Sequence, residues 1–237
     1  MRSGRAAHLG AQIVIAAVAL AAILETAAAW EGPSADEIVR KFLAIRASAP
    51  RILAANVSVA LRSKAPLTAE PNCIYEGVLR PSGTEYVIRI EHEIRKSLIC
   101  GLADPHRENL LAVVRQTLEA VAPLPERAKA IALRMDRFEL AVRDQKVEGV
   151  GQRTDWLYLL EGMAKDPNTD PKAFRGWFDY DEGVWEEGTL TYSWGQVDTR
   201  LKYTYLENTW MLTYQYLYSK KYDASLEAVF SNFQFSP

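Results

Sequence analysis

The sequence predicts a mainly β (α+β) fold, an unclosed antiparallel β half-barrel covered by an N-terminal helix and a central helical insertion. Three observations predict it. From about residue 50, apolar and polar residues alternate with a period of two through most of the chain, as in half-buried strands. Short turns containing Gly, Pro or Asn separate these stretches. Helical spacing of apolar residues occurs in only a few stretches, so helices can cover only part of the sheet.

The N-terminus predicts a signal peptide over residues 1–29. Arg2 and Arg5 precede an apolar run from 13 to 24, and Ala27-Ala28-Ala29 supplies the small residues of a cleavage site. The alternative is an uncleaved membrane anchor, although the apolar run is short for a bilayer span. A cleaved leader predicts a periplasmic protein.

The length and the net charge of the chain limit the number of domains and the class of partner. The chain has 237 residues and a formal charge of -2, so we expect no nucleic-acid partner. We expect residues 30–237 to form a single domain, because this length suits one hydrophobic core. We also expect the protein to be a monomer. No metal or organic cofactor is expected, because no Cys/His spacing for zinc and no phosphate-cradling glycine loop occur.

Two cysteines remain in the exported part, and an oxidising compartment favours a disulfide between Cys73 and Cys100. The alternative is two buried thiols. If Pro81-Ser82-Gly83 turns a hairpin, Cys73 lies opposite about Glu91, and the chain must then double back to bring Cys100 to Cys73.

The helices are predicted from capping and spacing. Ser34 and Glu37 form a capping box, and Ile38, Phe42 and Ile45 follow on one helical face. The helical insertion covers about 104–134: Asp104 and Pro105 suit a helix start, and apolar residues then recur at helical spacing up to the prolines after residue 121.

A single sheet of seven or so strands must bury one face, and the predicted helices are too few to fill its hollow. The sequence therefore predicts an apolar cavity, and aromatic residues at alternate strand positions are its expected lining. Strand aromatics that only pack against one another are the alternative. The expected cavity-lining residues are Tyr86, Ile88, Ile90, Phe138, Leu140, Trp156, Tyr158, Tyr192, Trp194, Tyr203, Tyr205, Trp210, Tyr214 and Tyr216.

Three polar clusters are weak candidates for chemistry, so we expect no enzyme. In Glu91-His92-Glu93, a strand would point His92 away from both glutamates. The loop from 166 to 170 opens like a calcium loop but lacks its later Gly and Glu. The acidic stretch from 179 to 187 could supply paired carboxylates, although such clusters in loops are usually solvated.

Several segments together resemble the bacterial periplasmic lipoprotein carriers of the LolA type and the outer-membrane lipoprotein-sorting proteins. They are Ala35-Asp36-Glu37-Ile38-Val39, Asn56-Val57-Ser58-Val59, Gly176-Trp177-Phe178-Asp179-Tyr180-Asp181, Asn208-Thr209-Trp210 and Phe230-Ser231-Asn232-Phe233-Gln234-Phe235. The resemblance implies an open barrel with an apolar cavity for lipoprotein acyl chains or another lipid. It also implies an envelope transporter or outer-membrane receptor as partner.

Two further functions are open at this point. A non-enzymatic envelope interaction protein would use its sheet as a protein-binding platform, and it predicts a filled core with an exposed apolar patch. A hydrolase would use the acidic stretch, and it predicts two carboxylates that face each other across a cleft.

Overall fold

A computed structural model describes residues 32–48, 50–63, 71, 73–83, 85–96, 100, 104–121, 136–150 and 153–236. The predicted signal peptide and the second half of the predicted insertion, from 122 to 134, lie outside these residues. Ser34 to Pro237 form one compact unit. None of the described helices is long and apolar enough to cross a membrane.

Helix α1 spans Ala35–Ala47, and its predicted capping box is confirmed. The Glu37 amide donates to the Ser34 hydroxyl at 3.3 Å, and the Ser34 amide donates to the Glu37 carboxylate at 2.7 Å. These bonds satisfy amides that have no partner within the helix. Ile38 and Val39 are buried, so α1 turns its apolar side to the sheet.

Ten strands and a second helix follow among the described residues. A single 3-10 turn, Asp104–His106, leads into helix α2, Arg107–Val121. The strands are β1 Ile52–Ser63, β2 Cys73–Ser82, β3 Glu85–Lys96, β4 Phe138–Val150, β5 Arg153–Ala164, β6 Ala173–Asp179, β7 Val184–Tyr192, β8 Gly195–Leu206, β9 Thr209–Ser219 and β10 Ala224–Phe235.

All ten strands form one antiparallel sheet in the order β3-β2-β1-β10-β9-β8-β7-β6-β5-β4. Strands that follow one another in the sequence pair with each other, except β3 and β4, and β1 pairs with β10. Strands β3 and β4 stand at opposite ends of this order, so the sheet is not closed into a barrel. The predicted half-barrel is confirmed, with ten strands rather than about seven.

Both helices cover the same face of the sheet, which we call the inner face. The inner-facing side chains Val57, Val59 and Leu61 of β1 are fully buried. Leu110 and Leu118 of α2 are also fully buried and belong to the same core. Each buried side chain of this size stabilises the fold by about 1.5–3 kcal/mol, before the entropy of folding is counted.

The predicted disulfide is present: Cys73 and Cys100 are joined, with their Cα atoms 5.4 Å apart. The expected register of the hairpin was wrong. Lys96, not Glu91, lies opposite Cys73, because β2 and β3 are joined by a tight turn at Gly83 and their ladder contains two irregularities. The chain therefore has only a short way to return before it reaches Cys100.

Candidate functional site

A cavity of about 400 Å³ lies between the two helices and the inner face of strands β4, β6 and β7. Helix α1 contributes one wall and helix α2 another. The lining residues are Val39, Phe42, Gln116, Thr117, Glu119, Ala120, Arg137, Phe138, Thr169, Asp170, Pro171, Phe174, Phe178, Trp185, Leu190 and Tyr192. This volume lies within the range of small-molecule sites, about 300–1,000 Å³.

Aromatic rings form the deep part of the cavity. Phe42 of α1 meets Phe178 of β6 edge to face, with ring centroids 5.7 Å apart. Trp185 lies parallel to Phe178 at 5.9 Å, and Phe138 meets Phe174 at 5.3 Å. These contacts pack the rings against one another, so this part of the cavity wall is apolar.

Glycines in neighbouring strands allow two of these rings to lie close against the sheet. A Cβ atom at Gly162 would lie 2.1 Å from the Phe174 ring, and a Cβ atom at Gly176 would lie 2.1 Å from the Trp185 indole nitrogen. That nitrogen donates to the Glu187 carbonyl at 2.9 Å. Side chains at the two glycines would push both rings toward the helices. The glycines therefore keep the cavity open.

Polar side chains lie at the mouth of the cavity, where Gln116, Arg137 and Asp170 are exposed to solvent. The Tyr192 hydroxyl donates to the Gln116 side chain at 2.7 Å. Asp170 accepts bonds from the Ser193 hydroxyl and amide, which lower the pKa of the Asp170 carboxyl. The cavity thus has an apolar interior and a polar, solvent-exposed mouth, and this arrangement suits an amphipathic ligand.

Arg46 connects the end of α1 to three other parts of the fold. Its side chain is fully buried, and it donates to the backbone carbonyls of Trp210 at 2.6 Å, Glu182 at 3.0 Å and Val121 at 3.4 Å. Burial lowers the pKa of its guanidinium. Carbonyl oxygens from α2, β9 and the β6–β7 turn thereby hold α1 over the cavity.

Helix α2 is held to the sheet by separate contacts. The Gln215 amide donates to the Thr117 hydroxyl at 3.0 Å in the buried interior. His106 stacks on Tyr222 at 3.9 Å, and Asn109 donates to the Tyr222 hydroxyl at 3.0 Å. The wall that α2 contributes is therefore fixed at its start and along its inner side.

Of the expected lining residues, Phe138 and Tyr192 line this cavity. Others are packed in the core or against it: Tyr86, Ile88, Ile90, Leu140, Tyr158, Trp194 and Tyr203. Tyr203 supports the site indirectly, because its buried hydroxyl donates to the Trp185 carbonyl at 2.8 Å. Trp210 is half-buried and meets Tyr205 edge to face. That these residues bind a ligand stays a prediction.

The expected place of Tyr214 and Tyr216 under the helices needs correction. The pairing of β8 with β9 shifts between Lys202 and Tyr203, and this bulge reverses the alternation along β9. Gln215 consequently faces α2, and both tyrosines lie on the other face of the sheet, in a separate groove. Trp156 and Tyr205 also lie outside the cavity, 43% and 56% exposed.

Of the polar clusters, one lies on an exposed edge strand and another closes a turn. Glu91, His92 and Glu93 are all exposed on edge strand β3. The Asp179 carboxylate accepts bonds from the amides of Asp181 and Glu182, both at 2.8 Å, and so closes the β6–β7 turn. Within the described residues, no group of His, Cys, Asp and Glu side chains could hold a metal ion.

Several cavity residues were missed from the sequence: Val39, Phe42, Phe174, Phe178, Trp185 and Leu190. One signal could have found some of them. In β6, Phe174, Gly176 and Phe178 alternate on one face, and a glycine between two aromatics leaves space for a neighbouring ring.

No protein-family model and no curated protein matches the chain. Three solved structures are similar, each with a TM-score of 0.48. A LolA superfamily protein from Nitrosomonas europaea is 12% identical and covers 87% of this chain and 95% of its own. A domain named for outer-membrane lipoprotein sorting, from Vibrio parahaemolyticus, is 10% identical, with coverages of 84% and 92%. A DUF1329 family protein from Desulfovibrio piger is 8% identical, with coverages of 85% and 93%. The solved structures to which this chain is similar thus include proteins of the type that its sequence resembles.

Proposed function

We propose that this protein is a non-enzymatic periplasmic carrier that holds a lipid acyl chain, such as that of a lipoprotein, in the cavity between α1, α2 and the sheet. The cavity itself is the observation that carries the proposal. Its interior is walled by Val39, Phe42, Phe178 and Leu190, and burial of an acyl chain there would gain about 0.8 kcal/mol for each methylene removed from water.

The position of the polar groups supports an amphipathic guest. Gln116, Arg137 and Asp170 lie at the mouth, where the head of a lipid would remain in contact with water. The resemblance to lipoprotein carriers suggests an acyl chain as cargo and an envelope transporter or outer-membrane receptor as the delivery partner. The cavity favours a carrier over an interaction protein, for which we expected a filled core.

A matched pair of variants tests the proposal. Ala120 of α2 lines the cavity, so Ala120→Trp should fill it. Glu108 lies on the same helix with its side chain 66% exposed, so Glu108→Trp adds the same bulk outside the cavity. Binding of the fluorescent fatty acid cis-parinaric acid should weaken at least tenfold in Ala120→Trp and stay unchanged in Glu108→Trp.

Thermal unfolding of both variants separates loss of binding from loss of fold. If folded Ala120→Trp binds the probe as the wild type does, or if the wild type does not bind it, the proposal is wrong.

A further inference from the structure

A second concave site lies on the face of the sheet away from both helices. Tyr214 and Tyr216 are among its lining residues. This outer groove has a volume of about 900 Å³ and reaches from Asp144 on β4 to Glu227 on β10. Six strand spacings separate β4 from β10, which makes the groove roughly 30 Å long. A groove of this length suits an elongated ligand.

Four aromatic side chains line the outer groove, and three of them lie on one strand. Tyr214, Tyr216 and Tyr218 occupy alternate positions of β9, so their side chains point the same way at intervals of about 7 Å. Trp177 lines the same groove from β6, three strands away from β9, and the Lys146 ammonium lies 4.6 Å from its ring centroid. Rows of half-exposed rings offer flat, weakly polar faces to a ligand.

The charges in the outer groove are balanced and largely paired. The Arg200 Nε atom lies 3.7 Å from the Glu187 carboxylate, and the Lys202 ammonium lies 5.2 Å from the centroid of the Tyr214 ring. The Thr189 hydroxyl donates to Asp198 at 3.0 Å. No single sign of charge dominates, so neither a polyanion nor a polycation is favoured. The side chains nevertheless offer many hydrogen-bond donors and acceptors.

Two other ligand classes fit poorly. An extended peptide adds to a free sheet edge, whereas β6 to β9, which form the floor, are paired on both sides. An acyl chain would leave the charged lining of Arg175, Glu187, Asp198 and Arg200 without water, which is costly. Sugar rings combine C–H faces that pack on aromatic rings with hydroxyls that bond carboxylates and guanidinium groups. We infer that the outer groove binds a linear, uncharged oligosaccharide.

Calorimetric titration of the purified protein tests this inference with three soluble probes: cellotetraose, chitotetraose and maltotetraose. We expect at least one tetrasaccharide to bind and its monosaccharide to bind at least tenfold more weakly, because a long groove contacts several rings. Failure of all three probes to bind at millimolar concentration would overturn the inference.

Variants locate the binding. Tyr216→Ala removes one ring from the groove, and Arg200→Gln removes an exposed donor with little risk to the fold, since its side chain is 75% exposed. Each should weaken tetrasaccharide binding at least fivefold. Phe233→Ala, on β10 but outside the groove, is the matched aromatic control. Unchanged affinity in folded Tyr216→Ala and Arg200→Gln would overturn the inference.

Binding of cis-parinaric acid reports on the inner cavity separately. The test of the outer groove can therefore fail while the test of the inner cavity succeeds, and the reverse.

Discussion

At the scale of single residues, Gly176 shapes the site because it has no side chain. Its position on the inner face of β6 is occupied by the Trp185 indole, which lies where a Cβ atom would be. A large aromatic residue can therefore form a cavity wall without filling the cavity. The glycine and the tryptophan act as a pair.

We expect Gly176→Ala to lower the free energy of unfolding by about 1–3 kcal/mol, because the added methyl group would force Trp185 off its present position. Chemical denaturation followed by tryptophan fluorescence measures this change. Gly149→Ala is the control, since no atom lies within 4 Å of a Cβ at that position. Equal stability of the two variants would contradict the proposed pairing.

The carboxyl group of Glu186 is half-buried in the folded protein. Burial, with repulsion from Glu148, raises its pKa from 4.5 to about 7. The folded state then binds this proton more tightly than the unfolded state does. Its contribution to stability is complete below about pH 4.5 and is lost as the pH rises through about 7.

In Glu186→Gln this loss should be absent. We expect the wild type to lose on the order of 1 kcal/mol more than the variant between pH 4.5 and pH 7.5, after allowance for solvent screening of a half-buried group. Urea denaturation across this range measures the difference, with Glu76→Gln at an exposed position as control. Parallel pH profiles of the wild type and Glu186→Gln would show that Glu186 is not responsible.

At the scale of the elements, the two helices are held by different means. Helix α2 follows Cys100, whose disulfide ties the chain to β2, and it bonds to the sheet through Thr117. Helix α1 has no such covalent tie among the described residues, and the buried Arg46 holds its end through carbonyl oxygens. Of the two walls, α1 is therefore the one that can loosen more readily.

Arg46→Lys keeps the charge but cannot reach the three carbonyls as a fork does. We expect it to destabilise the fold by about 1–3 kcal/mol and to speed hydrogen exchange in α1 more than in α2. Release of cis-parinaric acid should also become faster. Arg40→Lys, at an exposed position of the same helix, should change none of these rates. Equal exchange in both helices of Arg46→Lys would contradict this role for Arg46.

Elements were predictable from the sequence where local chemistry decides them. The Ser34 capping box and the alternation within β1 depend on neighbouring residues, and both match the structure. The faces of β9 were not predictable, because the bulge that reverses its alternation arises from pairing with β8. The same holds for the cavity: Phe42, Phe174 and Trp185 are far apart in the chain and meet only when the sheet and the helices assemble.

At the scale of the whole molecule, the central claim is that the sheet keeps an apolar space that the two described helices do not fill. Ten strands form an inner face wide enough for α1 and α2 to cover it while a cavity of about 400 Å³ remains. The most direct test is mass spectrometry of an organic extract of the protein, purified without detergent from its native compartment. We predict an acyl-chain lipid in near-stoichiometric amount, which Ala120→Trp lacks and Glu108→Trp retains. Repeated extracts without lipid, or equal lipid in both variants, would contradict the account.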